Sequence, residues 1–315
     1  MKIALVHDWF ISKRGGEKVF DAIAELFPTA DVYCIFHRGN HLNGRKIRAS
    51  FLNRLPFVEK YYRYLLPFYP LAVESLDLTG YNVVISSSHA AAKAVITHPS
   101  SLHVSYCYTP MRYLWDKAPE YFKGLKKYLY LPILSWLRVW DVTTAQRVDH
   151  FIAMSKFSGA RIRKFYRREF DVVYPFVDDF YLNAEMKAAK DYFVIVSGLV
   201  PYKNIDLAIQ ACEFVGVPLK IVGQGPELEN LKKLAKKYTE FLGFLPRDEM
   251  LSVLQHSKAF LFPGEEDFGI APIEAMALGK PVAALAKGGA LETIIDGKTG
   301  VFFSEDSVES LRNAL

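Results

Sequence analysis

Pro263-Gly264-Glu265-Glu266-Asp267-Phe268-Gly269-Ile270-Ala271-Pro272-Ile273-Glu274-Ala275 carries the densest signal in the chain. The run before it, Ala259–Phe262, is short and apolar, as a buried strand should be, and Gly269 admits the backbone into a helix that starts at Ile270. Glu274 lies four residues into that helix, near its second turn. Glu266 can therefore sit at the mouth of a site toward which Glu274 also points. Backbone N–H groups at Gly269 and Ile270 suit a diphosphate. Carboxylates repel an anion but bind neutral sugar hydroxyls, so this pattern fits a ligand that carries both. An acidic loop favoured only by the helix dipole is the plainer alternative.

Working outward, strand-like runs alternate with helical patterns along the whole chain, which indicates mostly parallel sheets covered by helices. Upstream of 263 the expected strands are Tyr192–Ser197, Leu219–Val222 and a short one near Phe241-Leu242, with helices from about Lys203, Pro226 and Arg247. Val282–Leu285 follows as a further strand, and a helix opens at Val308. In the first half the strands are expected at Lys2–Val6, Ala30–Ile35, Val83–Ser87, Val104–Tyr108, His150–Met154 and Asp171–Val173. Helices should run from Gly16 to Leu26 and onward from Ser155. The segment from Tyr174-Pro175 to Lys190 loses β-periodicity. It divides the chain into 1–175, a linker 176–190, and 191–315. The expected fold class is α/β, with two Rossmann-like doubly wound domains whose ligand crevices face one another across a cleft.

Charge changes sign at the same boundary. Through Pro175 there are 25 Lys+Arg against 14 Asp+Glu, and beyond it 14 against 20. The basic half favours an anionic partner: a phosphorylated ligand, an anionic bilayer or a nucleic acid. A solvated basic face is the bland alternative. Aromatic and basic residues interleave in Phe57–Tyr69 and Tyr121–Trp140. Phe57, Tyr61, Tyr62, Leu65, Leu66 and Tyr69 recur at helical spacing beside Lys60 and Arg63. Leu125, Leu129, Leu134 and Leu137 do so beside Lys123, Lys126, Lys127 and Arg138. Such helices pack on a sheet or lie at an anionic interface. No run is long and apolar enough to span a bilayer. The opening residues turn polar too soon for a signal peptide and read as a first strand. Cys34, Cys107 and Cys212 are far apart, which suggests a reducing compartment and no structural zinc.

Other loops offer candidate contacts. His7-Asp8 is expected to end the first strand, and Arg14-Gly15-Gly16-Glu17 then enters a helix whose free N–H groups favour an oxyanion, unless the glycines form only a turn. Gly198-Leu199-Val200-Pro201-Tyr202-Lys203-Asn204 brings Lys203 to the carboxyl edge of its sheet, where it is a phosphate-binding cation or an ordinary surface lysine. Gly223-Gln224-Gly225-Pro226 lets a base or ribose approach, or simply turns the chain. Gly288-Gly289-Ala290-Leu291-Glu292 is a further tight approach.

With these motifs in place, the chain resembles the retaining glycosyltransferases of the two-Rossmann-domain (GT-B) class often called family 4, and within it the mannosyltransferases of O-antigen or polysaccharide assembly. The resemblance covers nearly the whole chain. It rests on Gly15-Gly16-Glu17-Lys18-Val19, Tyr108-Thr109-Pro110-Met111-Arg112-Tyr113-Leu114-Trp115-Asp116, Leu199-Val200-Pro201-Tyr202-Lys203, the Glu266/Glu274 pair and Gly288 to Glu292. It implies that Glu266 contacts the donor hexose, Glu274 the ribose, and Lys203 the diphosphate with help from Gly15-Gly16. The implied donor-binding set is Gly15, Gly16, Lys203, Gly223, Glu266, Phe268, Gly269, Ile270 and Glu274, with Glu266, Lys203 and Tyr108 as catalytic candidates. Asp8, Arg14 and Arg112 are further phosphate or acceptor contacts. The implied donor is a nucleoside-diphosphate sugar, GDP-mannose first, with no cofactor and no metal. The acceptor is a glycan or a polyprenyl-diphosphate-linked glycan met at an anionic membrane surface, on the cytoplasmic side, with no nucleic acid involved.

No Asp-x-Asp cluster lies at a strand end and no His/Cys grouping supplies a metal site. The resemblance implies transfer with retention of configuration, which a front-side step would give. Two positions depart from the family pattern. Gly198 stands where many relatives carry an arginine beside the diphosphate, and Tyr108 where many carry a histidine; a phenol cannot be cationic near neutrality. A sugar-nucleotide epimerase or a non-catalytic sugar-nucleotide-binding subunit would share these motifs. Relatives continue through further C-terminal helices, so an end at Leu315 reads as a truncated or unusually short form.

Overall fold

The computed structural model describes residues 1–11, 15–39, 42–122 and 126–315, apart from the side chains of residues 43, 120, 121, 126, 127 and 129. Arg14, Lys123 and Leu125 lie outside the described residues, as do the side chains of Lys126, Lys127 and Leu129. The chain divides into two compact units, Met1–Tyr174 and Pro175–Leu315.

The first unit is a parallel sheet of β1 (Ile3–Phe10), β2 (Asp31–His37), β3 (Ile47–Ala49), β4 (Val83–Ser88), β5 (Leu102–Cys107), β6 (His150–Ala153) and β7 (Phe170–Val172). Their order across the sheet is β3-β2-β1-β4-β5-β6-β7. Chain direction across the sheet reverses between β1 and β4, which makes their carboxyl ends the topological switch point where ligands of such sheets bind. The strands are apolar on both faces because helices cover both, so Ala4, Leu5 and Val6 are all fully buried. The first strand does not end at His7-Asp8 as expected; it runs on to Phe10. Both polar side chains are fully buried there and find partners at the end of β4. Two other expectations need correction. The Phe57–Tyr69 stripe is not one helix but a short turn of helix at Val58–Tyr61, a 3-10 stretch at Tyr62–Phe68 interrupted by Pro67, and a helix Tyr69–Glu74. Strand β3 carries no expected strand at all, being three residues long at the sheet edge.

Downstream, helix Lys126–Ala145 turns Leu134 and Leu137 inward, while Tyr128, Tyr130, Leu131, Ile133, Trp136 and Val139 stay exposed. The helix after Ser155 begins with the expected cap. The Ser155 hydroxyl accepts from Ser158 N–H, and the Ser158 hydroxyl accepts from Ser155 N–H.

The second unit is also parallel: β8 (Phe193–Val196), β9 (Leu219–Val222), β10 (Thr239–Gly243), β11 (Ala259–Phe262), β12 (Val282–Leu285) and β13 (Gly300–Phe303). The order is β10-β9-β8-β11-β12-β13, so its switch point lies between β8 and β11. Helix Ile205–Val215 buries Ile205, Ala208, Ile209, Ala211 and Cys212 on one side of the sheet. Helix Ile270–Ala277 buries Pro272, Glu274 and Ala275. The helix expected from Lys203 starts instead at Ile205. Pro201–Lys203 forms a single 3-10 turn, and Asn204 adopts a left-handed conformation that redirects the chain. Among the described residues no helix is long and apolar enough to cross a membrane.

Candidate functional site

In the second unit the loops after β8 and β11 meet at the switch point. Glycines make that meeting possible. A Cβ on Gly264 would lie 2.7 Å from the Lys203 Cα, and one on Gly225 would lie 2.2 Å from the Leu199 carbonyl. Gly223, at φ +141°, tolerates an approach in which a Cβ would fall 1.8 Å from the Ser197 carbonyl. The chain after β8 is thus clamped between the loops after β9 and β11. Leu199 N–H donates to the Gln224 carbonyl at 3.0 Å and Glu227 N–H donates back to the Leu199 carbonyl at 3.1 Å.

Held this way, the Lys203 ammonium makes an ion pair with the Glu266 carboxylate, both side chains being largely buried. Ser197, Lys203, Pro263, Gly264 and Glu266 line a common recess. The loop bearing Glu266 is fixed from the other side by Gly288-Gly289. Gly289 N–H donates to the Glu266 carbonyl at 2.9 Å. Any Cβ on Gly288 or Gly289 would meet the backbone of Glu266 or Phe268 at 2.4 Å. Gly269, at φ +89°, packs against the Phe262 ring and turns the chain into helix Ile270–Ala277. The first N–H groups of that helix have no partners within it, so they are available to an anion. Phe268 itself is buried. Glu274 is buried on the same helix, close enough to Tyr181 to help burial push that phenol's pKa upward. The structure therefore brings Lys203, Glu266, Gly223, Gly269 and Ile270 to one sheet edge, with Phe268 and Glu274 behind them.

In the first unit, helix Gly15–Leu26 opens at the β1 end of the other switch point. Tyr108 is buried. Its hydroxyl donates to the Gly16 carbonyl at 2.7 Å and shares a 2.8 Å hydrogen bond with the Ser87 hydroxyl. Burial holds its pKa well above the ordinary phenol value. The phenol anchors the Gly16 turn. Asp8 is likewise held in place. Its fully buried carboxylate accepts backbone N–H bonds from His89, Ala90, Ala91 and Ala92 at 2.6–2.9 Å, so it is committed to the turn after β4. Arg112 lies 3.8 Å from Asp116, which Arg161 also approaches at 3.0 Å. Trp115, from the same motif, donates its indole N–H to Asp141 at 2.8 Å, and Asp141 pairs with buried Lys93 at 2.8 Å. Much of the Tyr108–Asp116 motif therefore secures the fold around this switch point.

Sequence reading passed over Ser87 and His89. The signal was present: Ser86-Ser87-Ser88-His89 is a polar run at the carboxyl end of an otherwise apolar strand.

With this geometry established, comparison with known proteins is informative. Residues 182–315 match the family model described as Glycosyl transferases group 1. An uncharacterized glycosyltransferase of Methanocaldococcus jannaschii is 26% identical over 172 residues, which is 53% of this chain and 48% of that protein. A GDP-mannose-dependent alpha-(1-6)-phosphatidylinositol monomannoside mannosyltransferase of Mycolicibacterium smegmatis is 34% identical over 140 residues, 39% of this chain and 37% of that protein. Each alignment spans less than half of its curated relative. Among solved structures, Anabaena HepE in complex with UDP and glucose superposes with a TM-score of 0.70 at 19% identity, covering 99% of this chain and 88% of that one. WaaG, a glycosyltransferase involved in lipopolysaccharide biosynthesis, gives a TM-score of 0.64 at 17% identity over 99% of this chain and 89% of its own. At such identities the likeness shows the fold, two parallel-sheet α/β domains of the GT-B type. Residues 182–315, which carry Lys203, Glu266 and Glu274, are thus similar to the glycosyl transferases group 1 model, within a chain of GT-B fold.

Proposed function

We propose that the protein is a retaining, metal-independent glycosyltransferase that moves a hexose from a nucleoside-diphosphate sugar to a glycan or lipid-linked glycan acceptor. The observation that carries this reading is the contact between Lys203 and Glu266 at the β8/β11 switch point, braced on three sides by glycine loops. The pair holds opposite charges where a donor has two chemically different parts. On binding, the Lys203 ammonium exchanges the carboxylate for the diphosphate, and Glu266 is left to accept hydrogen bonds from hexose hydroxyls. The N–H groups opening the Ile270 helix take a share of the diphosphate charge that grows as the glycosidic bond breaks. Glu274 serves the ribose. Tyr108 contributes by fixing the Gly15-Gly16 turn, and Arg112 is a candidate for an acceptor phosphate. The acceptor hydroxyl, held on the face from which the phosphate departs, loses its proton toward that phosphate, which gives retention through positioning.

GDP-mannose is the first donor to test, in keeping with the name of the mycobacterial relative. UDP-glucose is the second, since HepE was solved with UDP and glucose. The first unit takes the acceptor at the cytoplasmic face of a membrane, a role its basic charge and exposed aromatic helix favour. A calorimetric panel of GDP-, UDP-, ADP- and CDP-linked sugars, followed by product assay in excess EDTA and NMR assignment of the new linkage, tests the reading. Binding of one donor and a retained anomeric configuration in EDTA are expected. No binding across the panel would reject the donor site. Rescue of an EDTA-abolished activity by Mg²⁺ or Mn²⁺ would reject metal independence, and an inverted linkage would reject the front-side step. Donor binding without transfer to any acceptor would identify a non-catalytic subunit.

A further inference from the structure

At the β1/β4 switch point of the first unit, one side chain has the arrangement of an oriented hydrogen-bonding group that the donor site does not use. His89 follows β4 directly. Its backbone N–H donates to Asp8 at 2.7 Å, and its imidazole Nδ1 lies 3.3 Å from the same carboxylate oxygen. Asp8 is fully buried and already accepts four backbone N–H bonds, so it is fixed in place. In the neutral ring, a proton on Nδ1 toward that carboxylate goes with a lone pair on Nε2. The ring stands edge-on to Trp9, with centroids 4.5 Å apart at 89°, which restricts its rotation. The His89 side chain is 29% exposed, and Nε2 has no hydrogen-bond partner among the described residues. An imidazole with one nitrogen beside a buried carboxylate and the other open, next to the partly exposed indole of Trp9, has the chemistry of a carbohydrate contact: an acceptor for one hydroxyl and an apolar face for a ring.

We propose that His89 is an acceptor-site residue, its Nε2 accepting a hydrogen bond from a hydroxyl of the sugar acceptor, with Asp8 as the positioning residue beside Nδ1. The proposal rests on the glycosyltransferase reading and adds a residue in the unit that does not carry the donor site. No proton is transferred to His89; it orients the hydroxyl.

The test uses the whole chain and octyl α-D-mannopyranoside as acceptor probe. In ¹⁵N-detected spectra of the imidazoles, saturating probe should shift the His89 Nε2 resonance and leave buried His103 unmoved. His89→Ala should raise the probe's KM about tenfold, the size of one lost hydrogen bond, with donor affinity unchanged. His89→Gln, which returns an acceptor oxygen near the Nε2 position, should recover most of that loss. An unmoved His89 resonance at saturating probe, or an unchanged KM in His89→Ala, would overturn the proposal. Donor titrations run on the same samples keep the readings apart: failure of every sugar nucleotide to bind rejects the glycosyltransferase reading, whereas normal donor binding with a silent His89 rejects this proposal alone.

Discussion

Lys203 and Glu266 are 63 residues apart in the chain, yet their contact follows from side-chain size as much as from charge. Gly264 lets the turn containing Lys203 lie against the end of β11, and any larger residue there would hold the two apart. Separate substitutions should divide their roles. A charge-assisted hydrogen bond contributes roughly 1.5–3 kcal/mol, so Lys203→Ala should weaken binding of both the sugar nucleotide and the free nucleoside diphosphate by about ten- to a hundredfold. Glu266→Gln should weaken only the sugar nucleotide, since it leaves the diphosphate contacts and removes a repelling charge. Calorimetry with both ligands on both variants measures this. Equal losses for the two ligands in Glu266→Gln, or no loss in Lys203→Ala, would contradict the assignment. At this scale the sequence was informative where glycines and charges lie close together, as in residues 263–274. It was uninformative for Asp8, whose four N–H partners lie more than 80 residues away and whose role as a buried clasp no local pattern reveals.

Elements bounded by punctuation were read to the residue. Leu219–Val222, Ala259–Phe262 and Val282–Leu285 are four-residue runs, apolar but for Lys220, on interior or near-interior strands, and each begins and ends where the sequence reading put it. Strands β3 and β13 were missed because edge strands are short and carry charge or glycine. Arg48, in the middle of β3, reaches Asp31 at 3.4 Å instead of entering the core. Loop glycines at the carboxyl ends give a matched stability test. Gly223→Ala forces a side chain into a left-handed position and onto the Ser197 carbonyl, so it should cost about 1–3 kcal/mol and lower Tm by several degrees. Gly198→Ala meets nothing within 4 Å and needs no unusual backbone, so it should leave stability unchanged or slightly raised. Thermal melts of the two variants decide it: equal effects would mean that the loops after β8 and β9 are not packed as described.

Across the whole molecule, charge and apolar surface are distributed unevenly. The first 175 residues carry the excess of Lys and Arg, and the rest carry an excess of Asp and Glu. On helix Lys126–Ala145, Leu134 and Leu137 fill the core while Tyr130, Leu131, Ile133 and Trp136 remain more than 40% exposed, an apolar face that a purely soluble helix has little reason to keep. Aromatic and aliphatic groups of this kind enter the headgroup region of a bilayer, and each nearby basic residue adds about 1 kcal/mol of attraction to anionic lipid. The whole chain should therefore co-sediment with vesicles containing phosphatidylglycerol and much less with neutral phosphatidylcholine vesicles, and the difference should shrink as salt is raised. Replacing Trp136 and Ile133 together by serine should weaken binding to both kinds of vesicle, since it removes apolar insertion and leaves the charge. Lysine-to-glutamate changes elsewhere in the first unit should reduce only the anionic preference. Equal and negligible sedimentation with both vesicle types would instead mean that the acceptor is met in solution, and the exposed aromatic face would then need an occupant other than lipid.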